Sequence, residues 1–241
     1  MHQTAMEHAD LFFRTYLDKR SSLRIVEIGS QNVNGSIRSK APESSEYVGV
    51  DFVDGPGVDV VLEDPYVFPF ADDSFDVCVS SSCLEHPEFF WLAYMEMLRI
   101  VRPSGLVYLN VPSNGDVHRW PVDCWRFYPD SGLALQNWAR RQGVAATLLE
   151  SFVGSQRSGS WNDFVAVFVK DDSAGAQWPD RMVKGTASVA NDRAFGFANA
   201  RIVGQDSPIH DQNWTEDQEF RPMRRIIRKV GARMGMEWYN R

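Results

Sequence analysis

Two polar positions lie where buried strands are predicted to end. Gly29 follows the apolar run at residues 23–28, and Asp51 follows the run at residues 47–50. A glycine at such a turn lets a ligand approach the backbone closely, and a carboxylate can accept hydrogen bonds from both hydroxyls of a ribose. The string G-x-G-x-x-G of dinucleotide-binding proteins is absent. The pattern therefore favours a ligand that has a ribose and no pyrophosphate.

A second group of reactive side chains lies in the loop after the fifth predicted strand. Its ionisable residues include Asp116, His118, Arg119 and Asp123. An imidazole titrates near neutral pH, so His118 is the leading candidate for a general base that removes a proton from a hydroxyl group. Asp116 or Asp123 would orient the imidazole, and Arg119 would help to hold the substrate.

Two other interpretations of this region stay open. The aromatic run at residues 125–128 is also compatible with a packed corner that leaves His118 at its rim. His86, which comes after the fourth predicted strand, is the second candidate for the base. The neighbouring Pro87 is typical of the start of a helix, which favours His118 over His86.

A sheet must bring these strand ends together. Near-continuous runs of Val, Ile and Leu are typical of parallel strands that are covered on both faces. Strands that alternate with helices form a doubly wound α/β fold, in which ligands bind at the carboxyl edge of the sheet. We predict a mostly parallel sheet of seven strands with a late antiparallel hairpin, at residues 23–28, 47–50, 58–61, 75–79, 106–111, 145–153 and 163–169. Helices are predicted near residues 5–20, 87–102 and 130–142.

The predicted sheet is complete near residue 170, which divides the chain of 241 residues. We therefore predict a ligand-binding domain at residues 1–170 and a C-terminal extension at residues 171–241. Residues 171–215 have no sustained period and are predicted to form a loop or lid. Apolar residues at helical spacing, among several arginines, predict a basic amphipathic helix at about residues 221–236.

The net charge of −7 is unevenly distributed along the chain. Residues 217–241 contain seven basic and three acidic side chains, so the rest of the chain is strongly acidic. An acidic body repels the phosphates of nucleic acid, and we expect no nucleic-acid partner. The basic helix is expected to pack against the same chain or a second copy, with weak contact to an anionic surface as the alternative.

The sequence contains few signals for export, cross-linking or metal binding. No apolar run reaches the roughly 20 residues that span a bilayer, and the first ten residues include acids where a signal peptide has basic and apolar residues. A cytoplasmic protein is therefore expected. Three cysteines without C-x-x-C spacing disfavour a disulfide framework. The five histidines are scattered, so no metal site is predicted.

An ordered set of motifs extends over residues 23–112. It includes F-P-F-A-D-D-S-F-D at residues 68–76, the pair E-H at residues 85–86, and E-M-L-R-I-V-R-P-S-G at residues 96–105. In order and spacing these motifs resemble the class I S-adenosylmethionine-dependent methyltransferases, especially the type 11 group. The resemblance implies a Rossmann-like fold, S-adenosyl-L-methionine as cofactor, and methyl transfer.

The resemblance also implies a set of cofactor contacts, carried over position by position. Asp51 would bind the ribose, and Asp64 would accept a hydrogen bond from the adenine amino group. The other implied contacts are Glu27, Gly29, Ser30, Gln31, Pro65, Ser80 and Ser81. Two of them depart from the family pattern, because Gln31 stands where a glycine is usual and Pro65 has no N–H to offer the adenine ring.

The composition of the acceptor loop favours a hydroxylated acceptor. Asp, Asn and Arg form hydrogen bonds with vicinal hydroxyls, and Trp120 offers a flat face to a pyranose. We therefore expect O-methylation of a small polar or glycan acceptor, as in glycan biosynthesis. The alternatives are a catalytically inactive regulatory protein, motivated by Gln31 and Pro65, and a methyltransferase acting on nitrogen or nucleic acid. A homo-oligomer is compatible with the sequence.

Overall fold

A single mixed sheet brings together the strand ends that the sequence analysis singled out. The computed structural model describes residues 2–18, 20–154, 161–171, 178–185 and 189–194. The predicted basic helix at residues 221–236 lies outside these residues, as does most of the predicted lid. The strands are β1 (Arg24–Ile28), β2 (Glu46–Asp51), β3 (Val60–Val61), β4 (Phe75–Ser81), β5 (Val101–Pro112), β6 (Thr147–Gly154), β7 (Asp163–Val169) and β8 (Val189–Ala194).

The order of the strands across the sheet is β3-β2-β1-β4-β5-β7-β6-β8. Strands β1 to β5 are parallel to one another, and β7 lies antiparallel between β5 and β6. This confirms the doubly wound α/β fold with a late antiparallel hairpin. The strand order reverses between β1 and β4, and in such sheets the crevice outside the carboxyl ends at the reversal is the ligand site.

Within the described residues, three α-helices cover the sheet: α1 (Gln3–Tyr16), α2 (Phe90–Ile100) and α3 (Ser131–Arg141). α1 packs on one face, where the rings of Phe12 and Tyr108 stack with their centroids 4.5 Å apart. α2 and α3 pack on the other face through residues such as Tyr94 and Leu135. None of the helices in the described part of the chain is both long and apolar enough to cross a membrane.

The helix predicted at residues 87–102 ends earlier than expected. α2 stops at Ile100, and β5 begins directly at Val101, which pairs with Phe75 of β4. Gly105 passes so close to β4 that an added Cβ would lie 2.6 Å from the carbonyl oxygen of Asp76. Strand pairing therefore replaces the last helical turn that the sequence pattern suggested.

The sheet also continues beyond the boundary that was predicted at residue 170. β8 pairs antiparallel with β6, which would otherwise be an exposed edge strand. The preceding segment is attached to the same strand, because the buried carboxylate of Glu150 accepts hydrogen bonds from the backbone N–H groups of Met182 and Val183. Part of the predicted lid at residues 171–215 is thus an element of the sheet domain.

A buried carboxylate fastens the start of α1 to the edge of β7. Asp163 has a side chain that is 1% exposed, and it accepts a hydrogen bond from Thr4 Oγ1 at 2.8 Å. His2 Nε2 lies 2.7 Å and His8 Nδ1 lies 3.3 Å from its oxygens. Burial opposes ionisation, but the hydrogen bonds from His2 and His8 hold the pKa of Asp163 well below its usual range.

We expect the Asp163→Asn variant to lose about 3 kcal/mol of unfolding free energy, because it removes the buried charge that three side chains converge on. Urea denaturation followed by circular dichroism measures this loss. The control is Asp10→Asn, which breaks only the exposed pair with Arg14 on α1 and should cost less than about 0.5 kcal/mol. Equal losses in the two variants would contradict the anchoring role of Asp163.

Candidate active site

A cavity of about 750 Å³ opens at the carboxyl edge of the sheet, beside the reversal between β1 and β4. Its volume is in the range of small-molecule sites. Most of the residues that line it come from the segments after β1, β2, β3 and β4 and from the loop after β5. They include Gly29, Gln31, Asp51, Phe52, Leu62, Pro65, Tyr66, Ser81, Glu85, His86, His118, Arg119 and Trp120.

Asp51 is held in place by the turn after β1. Its Oδ2 accepts a hydrogen bond from the backbone N–H of Gln31 at 3.0 Å, and its Oδ1 accepts one from Val53 at 3.2 Å. Each carboxylate oxygen has a second lone pair. Asp51 lines the cavity, so these lone pairs are available to a ligand's hydroxyl groups.

The turn after β1 requires glycine at residue 29. Gly29 has a φ of +81°, and an added Cβ would lie 2.4 Å from the Cβ of Cys83. Both the backbone conformation and the contact therefore exclude a side chain at this position. The turn after β1 consequently rests directly on the loop after β4.

The structure separates the predicted cofactor residues into two groups. Gly29, Gln31, Asp51, Pro65 and Ser81 line the cavity. Glu27, Ser30, Asp64 and Ser80 do not.

Asp64 and Glu27 have hydrogen-bond partners within the protein. The side chain of Asp64 is exposed, and its Oδ1 accepts a hydrogen bond from the backbone N–H of Tyr66 at 2.8 Å, as in a local turn. Glu27 is buried, and its carboxylate accepts a hydrogen bond from the hydroxyl of Tyr47 at 2.8 Å. Its side chain lies on the α1 side of β1 because neighbouring residues of a strand point to opposite faces.

Ser30 and Ser80 are also placed away from the cavity. Both are buried, and within the described residues neither hydroxyl has a hydrogen-bond partner. Ser30 lies under β2, where an added Cβ on Gly49 would be 2.8 Å from its Oγ. These serines are therefore packed inside the domain beneath the site.

Glu85, His86 and His118 form a cluster in the other part of the cavity. The carboxylate of Glu85 is 1% exposed, and its Oε1 lies 3.7 Å from Nε2 of His86 and 3.7 Å from Nε2 of His118. The two imidazole rings meet edge to face, with centroids 5.1 Å apart. The Glu85 carboxylate raises the pKa of His118 above its ordinary value, against the opposing effect of burial.

Asp123 lies next to His118 and is fixed by an arginine. It accepts a hydrogen bond from the backbone N–H of His118 at 2.8 Å, and its Oδ2 lies 3.4 Å from His118 Nδ1. Arg126 donates to both oxygens of Asp123, at 2.6 and 2.7 Å. Burial opposes ionisation, but these bonds lower the pKa of Asp123 to about 2. Asp123 is therefore a charged partner of the imidazole.

Asp116 contacts the same group through its backbone only. Its carbonyl oxygen lies 3.3 Å from His118 Nδ1 and accepts a hydrogen bond from Arg126 at 3.0 Å. The Asp116 residue is exposed and does not line the cavity. Arg119 and Trp120 do line it, and both are exposed at its rim.

The aromatic run at residues 125–128 forms a packed corner, as one interpretation of the sequence suggested. Trp125 and Phe127 each pack against Phe90, with ring centroids 5.3 and 4.9 Å apart. His118 lines the cavity beside this corner, and its side chain is 39% exposed. The ring of Trp161 closes the other side of His118, at 4.8 Å between centroids.

The sequence analysis assigned no role to Glu85 or Trp161. Glu85 stands beside His86 in the quoted E-H motif, but its burial against His118 depends on a contact over 33 residues. Trp161 reaches the cavity from the start of β7. A local pattern carries no signal for either contact.

Comparison with known proteins agrees with this arrangement. The family described as "Methyltransferase domain" matches residues 26–109, which run from β1 into β5. Residues 26–109 are therefore similar to the class I S-adenosylmethionine-dependent methyltransferases. The match lies inside residues 23–112, where the sequence motifs showed the resemblance.

The curated relatives share a segment of this methyltransferase domain. An uncharacterized methyltransferase of Mycobacterium tuberculosis (strain ATCC 25177 / H37Ra) is 41% identical over 69 residues, which are 29% of this chain and 27% of the relative. One from Mycobacterium avium (strain 104) is 52% identical over 42 residues, or 17% of each chain. The chain thus matches only about a quarter of the first relative's length.

Solved structures show that the methyltransferase fold extends over most of the described chain. A Burkholderia thailandensis 1,6-didemethyltoxoflavin-N1-methyltransferase with bound S-adenosylhomocysteine superposes with a TM-score of 0.55 at 17% identity, over 69% of this chain and 78% of that chain. The [4+2]-cyclase SpnF superposes with a TM-score of 0.54 at 13% identity, over 69% and 81%. At these identities the likeness concerns the fold alone.

The polar groups of the methyltransferase cavity fit S-adenosylmethionine. Asp51 offers carboxylate lone pairs to the ribose hydroxyls. Gln31 Oε1 and Ser81 Oγ are buried without a hydrogen-bond partner among the described residues, so they can bond the polar groups of the methionine part. Phe52, Leu62 and the ring of Tyr66 provide apolar surface for the adenine.

The buried Glu27 carboxyl should make stability depend on pH. Burial raises its pKa to about 7 from an ordinary 4.5, although the Tyr47 hydrogen bond opposes the rise. A raised folded-state pKa favours the fold most at low pH, and this advantage is lost as the pH rises through about 7. Between pH 4.5 and 8, we expect the wild type to lose roughly 3 kcal/mol more than Glu27→Gln.

Urea denaturation at a series of pH values measures this difference. The matched control is Glu43→Gln, which replaces an exposed carboxylate and should keep the pH dependence of the wild type. If Glu27→Gln and the wild type had parallel curves, the carboxyl would not be the group that titrates in this range.

Proposed function

We propose that the protein transfers the methyl group of S-adenosylmethionine to an oxygen atom of a small polar acceptor. The observation that carries this proposal is that one cavity contains both the Asp51 carboxylate and the imidazole of His118. When bound, the cofactor supplies an electrophilic methyl group. A neutral hydroxyl is a weak nucleophile, so an acceptor oxygen needs a group that takes its proton.

His118 is the proposed proton acceptor. Nδ1 lies 3.3 Å from the carbonyl oxygen of Asp116, 3.4 Å from the Asp123 carboxylate and 3.5 Å from Nη2 of Arg126, and Nε2 lies 3.7 Å from the Glu85 carboxylate. In the neutral ring with its proton on Nδ1, Nε2 has a lone pair. Arg126 fixes Asp123 from the other side. The Nε2 lone pair can therefore receive the hydroxyl proton while the methyl group is transferred.

A polyol or glycan is the proposed class of acceptor. Arg119 and Trp120 stand at the rim of the cavity, where a guanidinium can bind hydroxyl oxygens and an indole can pack against the C–H face of a sugar. Asp123 is already paired with Arg126, so it is not counted among the acceptor's partners. The volume of the cavity supports a small molecule over a nucleic-acid strand.

Two alternatives are tied to the solved neighbours. The structure described as a [4+2]-cyclase supports the possibility of a related fold with another activity, in line with the departures at Gln31 and Pro65. The neighbour that methylates N1 of 1,6-didemethyltoxoflavin supports a nitrogen acceptor. Because a neutral nitrogen attacks with its own lone pair, a nitrogen methyltransferase would depend little on His118.

A cytoplasmic location is also proposed. Cys78, Cys83 and Cys124 are free thiols, and Cys124 is exposed. Exposed thiols persist in a reducing compartment and tend to be oxidised outside it. We also propose that the chain can form a homo-oligomer. Weak contact of the basic helix with an anionic surface is a further proposal, and that helix lies outside the described residues.

Asp51→Ala should weaken the binding of S-adenosylhomocysteine at least about tenfold, because the variant loses charge-assisted hydrogen bonds to the ribose. Isothermal titration calorimetry measures the affinity. Asp64→Ala is the matched control, since Asp64 is exposed outside the cavity, and it should bind like the wild type. Equal losses in both variants, or none in Asp51→Ala, would refute the ribose assignment.

His118→Gln should lower the rate of methyl transfer on the order of a hundredfold, because the group that receives the hydroxyl proton is removed. The rate is measured as formation of S-adenosylhomocysteine in the presence of the acceptor. The variant's affinity for S-adenosylhomocysteine should change less than about twofold. Asp116→Asn keeps the backbone carbonyl that faces Nδ1, so it should retain the activity of the wild type.

The acceptor class is tested with the same assay on a panel of nucleotide sugars, glycosides, phenols and amines. Transfer to a sugar hydroxyl supports the proposal. Transfer to an amine that is equally fast in His118→Gln would establish the nitrogen alternative, and binding of the cofactor without any transfer would support the regulatory one.

A further inference from the structure

We propose that Glu85, His86 and His118 bind one divalent cation of the zinc type at the wall of the cavity. The cation site itself is argued from the cluster alone. Only the statement that the acceptor binds next to the cation rests on the proposed function. Within the described residues, one ligand atom from each of these three side chains lies within 4.8 Å of the other two. All three residues line the same cavity.

The distances within the cluster are typical of ligands that share a cation. Oε1 of Glu85 lies 3.7 Å from Nε2 of each histidine, which is too long for a good hydrogen bond. Ligands about 2.1 Å from a tetrahedral zinc ion are separated by about 3.4 Å. A cation between the three atoms therefore needs only small side-chain movements.

The second nitrogen of each imidazole is turned toward an oxygen. Nδ1 of His86 lies 2.6 Å from the carbonyl oxygen of Val122. Nδ1 of His118 lies 3.3 Å from the carbonyl oxygen of Asp116 and 3.4 Å from the Asp123 carboxylate. For His86 the carbonyl oxygen favours the Nδ1–H tautomer, whereas Nδ1 of His118 also has Nη2 of Arg126 at 3.5 Å. When both rings have their proton on Nδ1, both Nε2 lone pairs face Glu85. Metal-binding histidines are commonly oriented in this way by a carboxylate or carbonyl in contact with the other ring nitrogen.

The Glu85 carboxylate is the independent sign of a missing positive charge. Its side chain is 1% exposed, and its Oε2 has no hydrogen-bond partner among the described residues. Burial of an unpaired carboxylate is costly. Two imidazole lone pairs beside it add electron density, so the cluster requires either a proton on one ring or a cation among the three groups.

The donor set selects the kind of cation. Two imidazole nitrogens and one carboxylate oxygen suit Zn²⁺, Fe²⁺, Co²⁺ or Mn²⁺, whereas Mg²⁺ and Ca²⁺ favour oxygen ligands. Three protein ligands leave at least one position open, on the side of the cavity. An acceptor hydroxyl bound there would have a lowered pKa and would release its proton to water. In the cation-loaded protein His118 would be a ligand with no free Nε2 lone pair, and water would take the proton from the cation-bound hydroxyl.

The test is titration of the full chain with ZnCl₂ after treatment with a chelator, followed by calorimetry. We expect one Zn²⁺ per chain. Glu85→Gln and His86→Ala should each weaken binding at least about tenfold. Asp51→Ala, which removes a carboxylate from another part of the same cavity, should bind Zn²⁺ like the wild type.

Binding of S-adenosylhomocysteine separates this proposal from the proposed function. Glu85→Gln should retain that binding while losing Zn²⁺, and Asp51→Ala should show the reverse. Thermal melting without metal reports whether a variant is folded. For the wild type, the visible absorption of bound Co²⁺ gives a second measurement, because ligand-field bands distinguish imidazole coordination from loose surface binding. Absence of Zn²⁺ and Co²⁺ binding, or unchanged binding in both cluster variants, would overturn the cation site.

Discussion

The contact between Gly29 and Cys83 determines how the two parts of the cavity are joined. A side chain at residue 29 would lie 2.4 Å from the Cβ of Cys83, so the turn after β1 and the loop after β4 can approach each other only through glycine. Asp51 is hydrogen-bonded to the first of these segments through Gln31. Glu85 belongs to the second, so this contact connects the segment proposed to bind the cofactor with the segment proposed to bind the acceptor.

Charged and polar side chains contact one another in succession in the part of the cavity around His118. Arg126 holds Asp123 in the ionised form, and Asp123 lies beside the imidazole of His118. On its other side His118 faces the buried Glu85 carboxylate. Arg126 thus positions Asp123, and His118 lies between the carboxylates of Asp123 and Glu85 at the cavity. Such an arrangement limits the reorganisation that a reaction at this place requires.

The sequence predicted the features that depend on local residue patterns. It did not predict side-chain positions that depend on contacts between distant parts of the chain. Apolar runs predicted all seven strands from β1 to β7, and the strand end at residue 51 predicted the cavity-facing Asp51. Motif spacing alone could not show that Asp64 is exposed beside Tyr66, because the direction of a turn is set by its own hydrogen bonds. The contact of Glu85 with His118 likewise depends on how the loop after β5 folds back.

The attachment of α1 has a practical consequence for handling the protein. His2 contacts Asp163 and also lines the cavity, so the beginning of the described chain lies at the wall of the site. The ring of Trp161, which also lines the cavity, lies 6.4 Å from that of His2. A histidine tag joined near this wall of the cavity could donate its own histidines to added metal. Preparations for binding and activity measurements should therefore have a free, untagged amino terminus.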